Sequence, residues 1–178
     1  MRLRWITTLA VALLGLGASP APAPSVTPGT GSATAAPSAK LEDLIATLGI
    51  GLRLPPAWHV LSGNFESGTR ALVLAPEDRD GEIVTLRGEP VNGRSLQEFT
   101  TVADIPKGGR AVRICNGTQD GWYAEIPEDR RAAEAQRFSG FVVAAVNATN
   151  AVAAAYSRRP SVAEDAAVRS AVLNLCVR

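Results

Sequence analysis

Two apolar runs only four residues apart limit most strongly what this chain can fold into. FVVAAV at 141–146 and AVAAAYS at 151–157 flank Asn147-Ala-Thr-Asn150. A link that short brings the chain back beside itself, which predicts a β-hairpin and hence antiparallel pairing. Strands are also predicted at 70–75 (RALVLA), 82–87 (EIVTLR) and 111–115 (AVRIC), separated by Asp80-Gly81, Asn92-Gly93 and Gly108-Gly109. Residues 121–126 (GWYAEI) predict a strand paired with 111–115 across the loop 116–120, and Pro127 ends it. Ile50, Leu52 and Leu54 alternate with Gly51 and Arg53 as a half-buried strand does, until Pro55 and Pro56 stop it.

Helical spacing marks three further segments. Leu41, Leu44, Ile45 and Leu48 fall at i, i+3, i+4 and i+7 after Ser38, and Gly49 follows as a stop. Ser95 and Glu98 have capping-box spacing, with Leu96 and Phe99 on one face. After Pro160, Ser161 and Glu164 form a second such box, Asp165 and Arg169 pair at i, i+4, and Val168, Val172, Leu175 and Cys176 share the opposite stripe. That stripe places Cys176 on the last helix, facing the core. Residues 127–137 are expected to be a loop with some helical character. The order of elements predicts an α+β domain whose largely antiparallel sheet is covered by helices.

Ahead of this domain, MRLRWITTLAVALLGLGA carries Arg2 and Arg4, a short apolar run and then small residues, the layout of a secretory signal peptide over 1–18. The run would span only ~20 Å as a helix, so no integral membrane span is expected after its removal. Residues 19–39 (SPAPAPSVTPGTGSATAAPSA) contain no charge and no aromatic ring, and are expected to form a disordered spacer. The single globular domain is then 40–178. Taking Arg2 and Arg4 from 18 basic side chains leaves 18 − 2 = 16 against 17 acidic ones, a net charge near −1. Such a balance gives no electrostatic case for nucleic-acid binding.

Candidate chemistry is sparse. Cys115 and Cys176 are the two cysteines of a chain with an export signal, which predicts a disulfide worth about 4 kcal/mol in the chain-entropy model. Two buried free thiols or a catalytic cysteine are the competing readings. The single histidine, His59, follows Trp58 and would have to serve any nucleophile or metal alone; a hydrolase would pair it with a carboxylate such as Glu66. Glu77, Asp78 and Asp80 are the densest acidic group, but Arg79 sits among them, so a solvated turn is expected and not a calcium loop. Asn116-Gly-Thr118 and Asn147-Ala-Thr149 have the form of glycosylation acceptors, discounted because an alanine-rich, arginine-over-lysine composition suggests a bacterial source. No cofactor motif is present.

Leu52-Arg-Leu-Pro-Pro-Ala-Trp58 resembles the apolar-x-apolar-Pro-x-x-Trp opening of small secreted PsbP-like domains. The closing order is similar too: an apolar hairpin, a break at Pro160, and a helix ending in Ser170-Ala-Val-Leu-Asn-Leu175. The resemblance implies an α/β/α sandwich and a non-catalytic accessory role. It carries over no functional residue, and the cysteine pair departs from its opening motif.

Together these readings predict a secreted or periplasmic, non-enzymatic binding domain, monomeric, with an envelope protein or a small ligand as partner. A small-ligand or hydrolase site at His59 and an envelope spacer are the alternatives. The expected binding surface is the loop tied down by Cys115, comprising Asn116, Gln119, Asp120, Trp122 and Tyr123.

Overall fold

In a computed structural model of the protein, the elements in chain order are α1 (Leu41–Thr47), β1 (Ile50–Gly51), β2 (Trp58–Asn64), β3 (Arg70–Pro76) and β4 (Glu82–Pro90). There follow α2 (Leu96–Val102), β5 (Arg110–Ile114), β6 (Gln119–Ile126), β7 (Ser139–Val146), β8 (Asn150–Arg158), α3 (Ala166–Leu173) and β9 (Cys176–Val177). The structure describes residues 41–65, 68–78, 80–133 and 136–178. The predicted leader and spacer lie outside them. Within 127–133 there is neither helix nor strand, as expected of a loop.

Seven strands form one sheet in the order β2-β3-β4-β8-β7-β6-β5, every neighbouring pair antiparallel. Two three-strand meanders are joined through β8, which returns between β4 and β7. The predicted hairpin is therefore at the centre, where both its faces are covered. Val142, Val143, Ala144 and Ala145 of β7 and residues 151–157 of β8 are all buried. Continuous apolar runs, and not alternating ones, are what such a position needs.

The register puts Val84, Tyr156 and Phe141 side by side on one face, with Leu86, Ala154 and Val143 as the next row. Ile45 and Leu48 from the α1 region, Val168 and Val172 of α3, and Leu175 pack into the same cluster. Each fully buried aliphatic side chain contributes roughly 1.5–3 kcal/mol. Gly88 is where the chain leaving α1 crosses the sheet: a Cβ there would lie 2.0 Å from the Leu48 carbonyl oxygen. Phe99 of α2 is fully buried outside this cluster, and α2 lies against β7. The capping box is as read: the Ser95 N–H donates to Glu98 at 2.7 Å and the Glu98 N–H to Ser95 Oγ at 3.3 Å.

Several expectations need correction. The strand expected over 50–54 pairs only at Ile50–Gly51, because its partner β9 is itself two residues long. Strand β2 has no period-2 signature, because a bulge between Val60 and Ser62 shifts its register and sets Val60 beside Leu61. The last helix starts later than Ser161: Asp165 is its N-cap, accepting from the N–H groups of Ala167 and Val168 at 2.9 and 3.2 Å. It also ends earlier, at Leu173, so Cys176 belongs to β9 and not to the helix.

Candidate functional site

The disulfide between Cys115 and Cys176 is formed, with Cα atoms 4.7 Å apart and a sequence separation of 61. It ties the β5–β6 turn to β9, so the staple holds the segment after the last helix and not the helix itself. Cys115 and Asn116 occupy the left-handed region at φ 51° and 55°, and the Gly117 N–H closes the turn onto Ile114 at 3.0 Å. A cysteine in that region costs roughly 1–2 kcal/mol. Several contacts hold it there: Thr118 Oγ1 donates to the Cys115 carbonyl at 2.6 Å, and Arg113 donates twice to the Gly117 carbonyl, at 3.1 and 2.7 Å.

The residues expected to form one binding surface are spread over different surroundings. Asn116 and Asp120 are exposed, Asp120 in an ion pair with Arg113 at 2.7 Å. Gln119 is engaged at both ends of its amide: Nε2 donates to the Val177 carbonyl at 3.0 Å, and the Val177 N–H donates to Oε1 at 2.9 Å. It acts as an additional rung between β6 and β9. Trp122 is opposite Ala144, whereas Tyr123, on the other face, is buried and stacked on Phe141 with centroids 5.5 Å apart.

A polar network lies where α3 meets the sheet. The Tyr156 hydroxyl donates to Glu82 and accepts from the Asp165 N–H at 3.0 Å. Burial, then the hydrogen bond to Glu82, pushes the Tyr156 phenol well above its ordinary value. Tyr123 is raised likewise, by burial and by its hydrogen bond to Glu125. Arg169 lies 4.9 Å over the Phe141 ring and 2.9 Å from Glu164. Glu125, Arg158, Glu164 and Arg169 border a cavity of about 130 Å³ here. Both tyrosines stay protonated at neutral pH: Tyr123 donates to Glu125, and Tyr156 donates to Glu82 while its oxygen accepts the Asp165 N–H at the start of α3.

Glu89, buried on β4, accepts from Arg87 at 2.6 Å and Thr69 at 3.2 Å and pairs with Arg94 at 2.7 Å. Burial alone would raise its pKa, but the hydrogen bonds and charges of Arg87 and Arg94 outweigh that and hold the carboxyl below its ordinary value. Arg94 also donates to the carbonyls of Val91 and Pro90 at 3.1 and 3.0 Å, so the cluster fixes the turn before α2.

His59 is half-buried on β2 opposite Ala75, and Glu66 lies outside the described residues. Glu77, Asp78 and Asp80 are exposed, while Arg79 lies outside the described residues. Among the described residues no group of three or more His, Cys, Asp or Glu side chains is placed to hold a metal ion. No helix among them is long and apolar enough to cross a membrane.

The surface that the sequence reading missed is the β2 edge. Val60, Leu61 and Phe65 are 37%, 42% and 46% exposed, and the large exposed apolar side chains otherwise include only Val102 among the described residues. The Phe65 ring folds over Gly63, whose missing side chain leaves room: a Cβ would lie 3.0 Å from both Phe65 and Leu72. The available signal was compositional, since residues 54–65 (LPPAWHVLSGNF) contain no Asp, Glu, Lys or Arg. Beside the strand's start, Leu41, Ile45, Leu54, Pro55, Pro56 and Trp58 line an open groove of about 390 Å³.

No family model matches the chain, and no curated protein does. A solved structure of a protein from Bacteroides thetaiotaomicron is similar at a TM-score of 0.52 and 12% identity, over 73% of this chain and 45% of that one. At that identity the likeness concerns the fold alone, and this chain spans less than half of that protein.

Proposed function

We propose that the protein is an exported, non-enzymatic binding or accessory domain of the cell envelope. The observation that carries this reading is the β2 edge, an uncharged strand that leaves Val60, Leu61 and Phe65 in water at the rim of the sheet. A soluble domain ordinarily guards such an edge with charge or covers it, and exposed apolar groups gathered in one place mark an interaction site. The disulfide supports residence in an oxidising compartment, in keeping with a leader over 1–18 and a spacer over 19–39 that gives the domain reach.

A PsbP-like α/β/α sandwich is part of the proposal. In it α1 and α3 cover one face of the sheet and α2 the other. The separate burial of Phe99 supports this arrangement, as does the place of Trp58, buried at the head of β2 just after Pro55 and Pro56.

Affinity purification of the full chain from the envelope fraction, followed by native mass spectrometry, tests the function. The wild type is expected to retain a stoichiometric partner that a Val60→Lys/Leu61→Lys variant loses. Identical eluates from the two proteins would refute the reading.

A further inference from the structure

We infer that the β2 edge takes up an extended, uncharged segment of a partner protein as an eighth strand of the sheet, an inference that rests on the binding role proposed above. Among the described residues strand β2 has a sheet neighbour, β3, on one side only, and its residues 60–64 are exposed. Backbone N–H and C=O groups on the outer side of an edge strand are a template for another chain. Each such hydrogen bond contributes modestly, and the adjoining Val60, Leu61 and Phe65 supply apolar surface that an added strand would cover.

Charge selects the partner's chemistry. Residues 54–65 offer no ion to pair with a charged side chain brought down on them, so a charged segment would lose hydration and gain nothing. An uncharged segment with apolar side chains meets no such penalty. The bulge between Val60 and Ser62 decides between a flexible segment and a second copy of this chain. A bulged strand bends. Two identical strands paired about a two-fold axis would each bring a bend to the contact, whereas a flexible segment can follow a single one.

Photo-crosslinking in the full chain, with benzoylphenylalanine at Ser62 and, as the opposite-edge control, at Arg113, tests the inference in the source envelope. The Ser62 probe is expected to form one adduct, mapping by mass spectrometry to an uncharged segment. A synthetic peptide of that segment should then bind the full chain and slow amide exchange at residues 60–65. Leu61→Lys should weaken that binding about tenfold or more with an unchanged melting temperature, so that misfolding is not the cause. An adduct with a second copy overturns the inference in favour of self-pairing. An adduct on a charged or folded surface, or a peptide that does not bind, overturns strand addition but leaves the binding role standing. No adduct at Ser62 overturns both.

Discussion

The two edges of the sheet are treated in opposite ways. Strand β5 carries Arg110 and Arg113, and its end is held by the disulfide, by Arg113 on the Gly117 carbonyl and by Gln119 on Val177. Strand β2 carries a bulge but no charge, and leaves Val60 and Leu61 in water. Both edges expose backbone that could pair with another chain, so the difference lies in what each side-chain row permits. The β5 row carries two arginines, Arg110 over the Tyr123 ring and Arg113 paired with Asp120, whereas the β2 row is uncharged and partly apolar. One edge is charged and tied down, and the other is the one proposed to be covered.

The largest effect should come from removing the staple on the β5 side. Cys115→Ser/Cys176→Ser is expected to cost about 2–5 kcal/mol, read as a lower melting temperature that reductant no longer changes. A loss below about 1 kcal/mol would mean that Gln119 and the Arg113 contacts hold that corner without it. On the β2 side of the sheet, Glu89→Gln breaks a buried ion cluster and should cost about 3 kcal/mol at neutral pH by denaturant titration.

Glu89 also has a pH signature. Its folded pKa lies below the ordinary 4.5, so the folded state binds the proton less readily than the unfolded chain does. Its stabilisation is therefore full above that ordinary value and is lost as pH falls through the lower folded one. Stability profiles of the wild type and Glu89→Gln should converge on acidification, and parallel profiles would contradict the assignment. Tyr156→Phe removes the donor to Glu82 and the acceptor for the Asp165 N–H, at about 1–3 kcal/mol, shared by both edges because it sits at the centre. In the wild type, the raised Tyr156 pKa gives stability that is complete below the ordinary tyrosine value and is lost as pH rises toward the folded one. Smallest of all, Val60→Lys/Leu61→Lys should change stability by no more than about 1 kcal/mol, because both side chains are exposed in part at the sheet edge and a lysine stem can cover the same surface.

The sequence disclosed the guarded edge far better than the open one. The hairpin of β7 and β8 was legible from two apolar runs and a short link, and the Ser95–Glu98 cap from its spacing. The disulfide was legible because two cysteines that follow a segment with the layout of an export signal have few alternatives. Strand β2 was not legible, since its bulge cancels the alternation by which strands are recognised and two prolines stand before it. The role of Gln119 was hidden for another reason: its partner is the backbone of Val177, far along the chain, and side chain to backbone contacts leave no residue pattern. Cys176 was placed on the helix because Val168, Val172 and Leu175 keep helical spacing beyond the point where the backbone has already left the helix.

The contrast between the edges is tested most directly by measuring retention of the proposed envelope partner by three forms of the full chain side by side. These are the wild type, Val60→Lys/Leu61→Lys and Arg110→Ser/Arg113→Ser. The account predicts that the wild type and the arginine variant retain the partner equally while the lysine variant loses it. Retention by the lysine variant, with loss from the arginine variant, would place binding on β5 and contradict the assignment of the two edges.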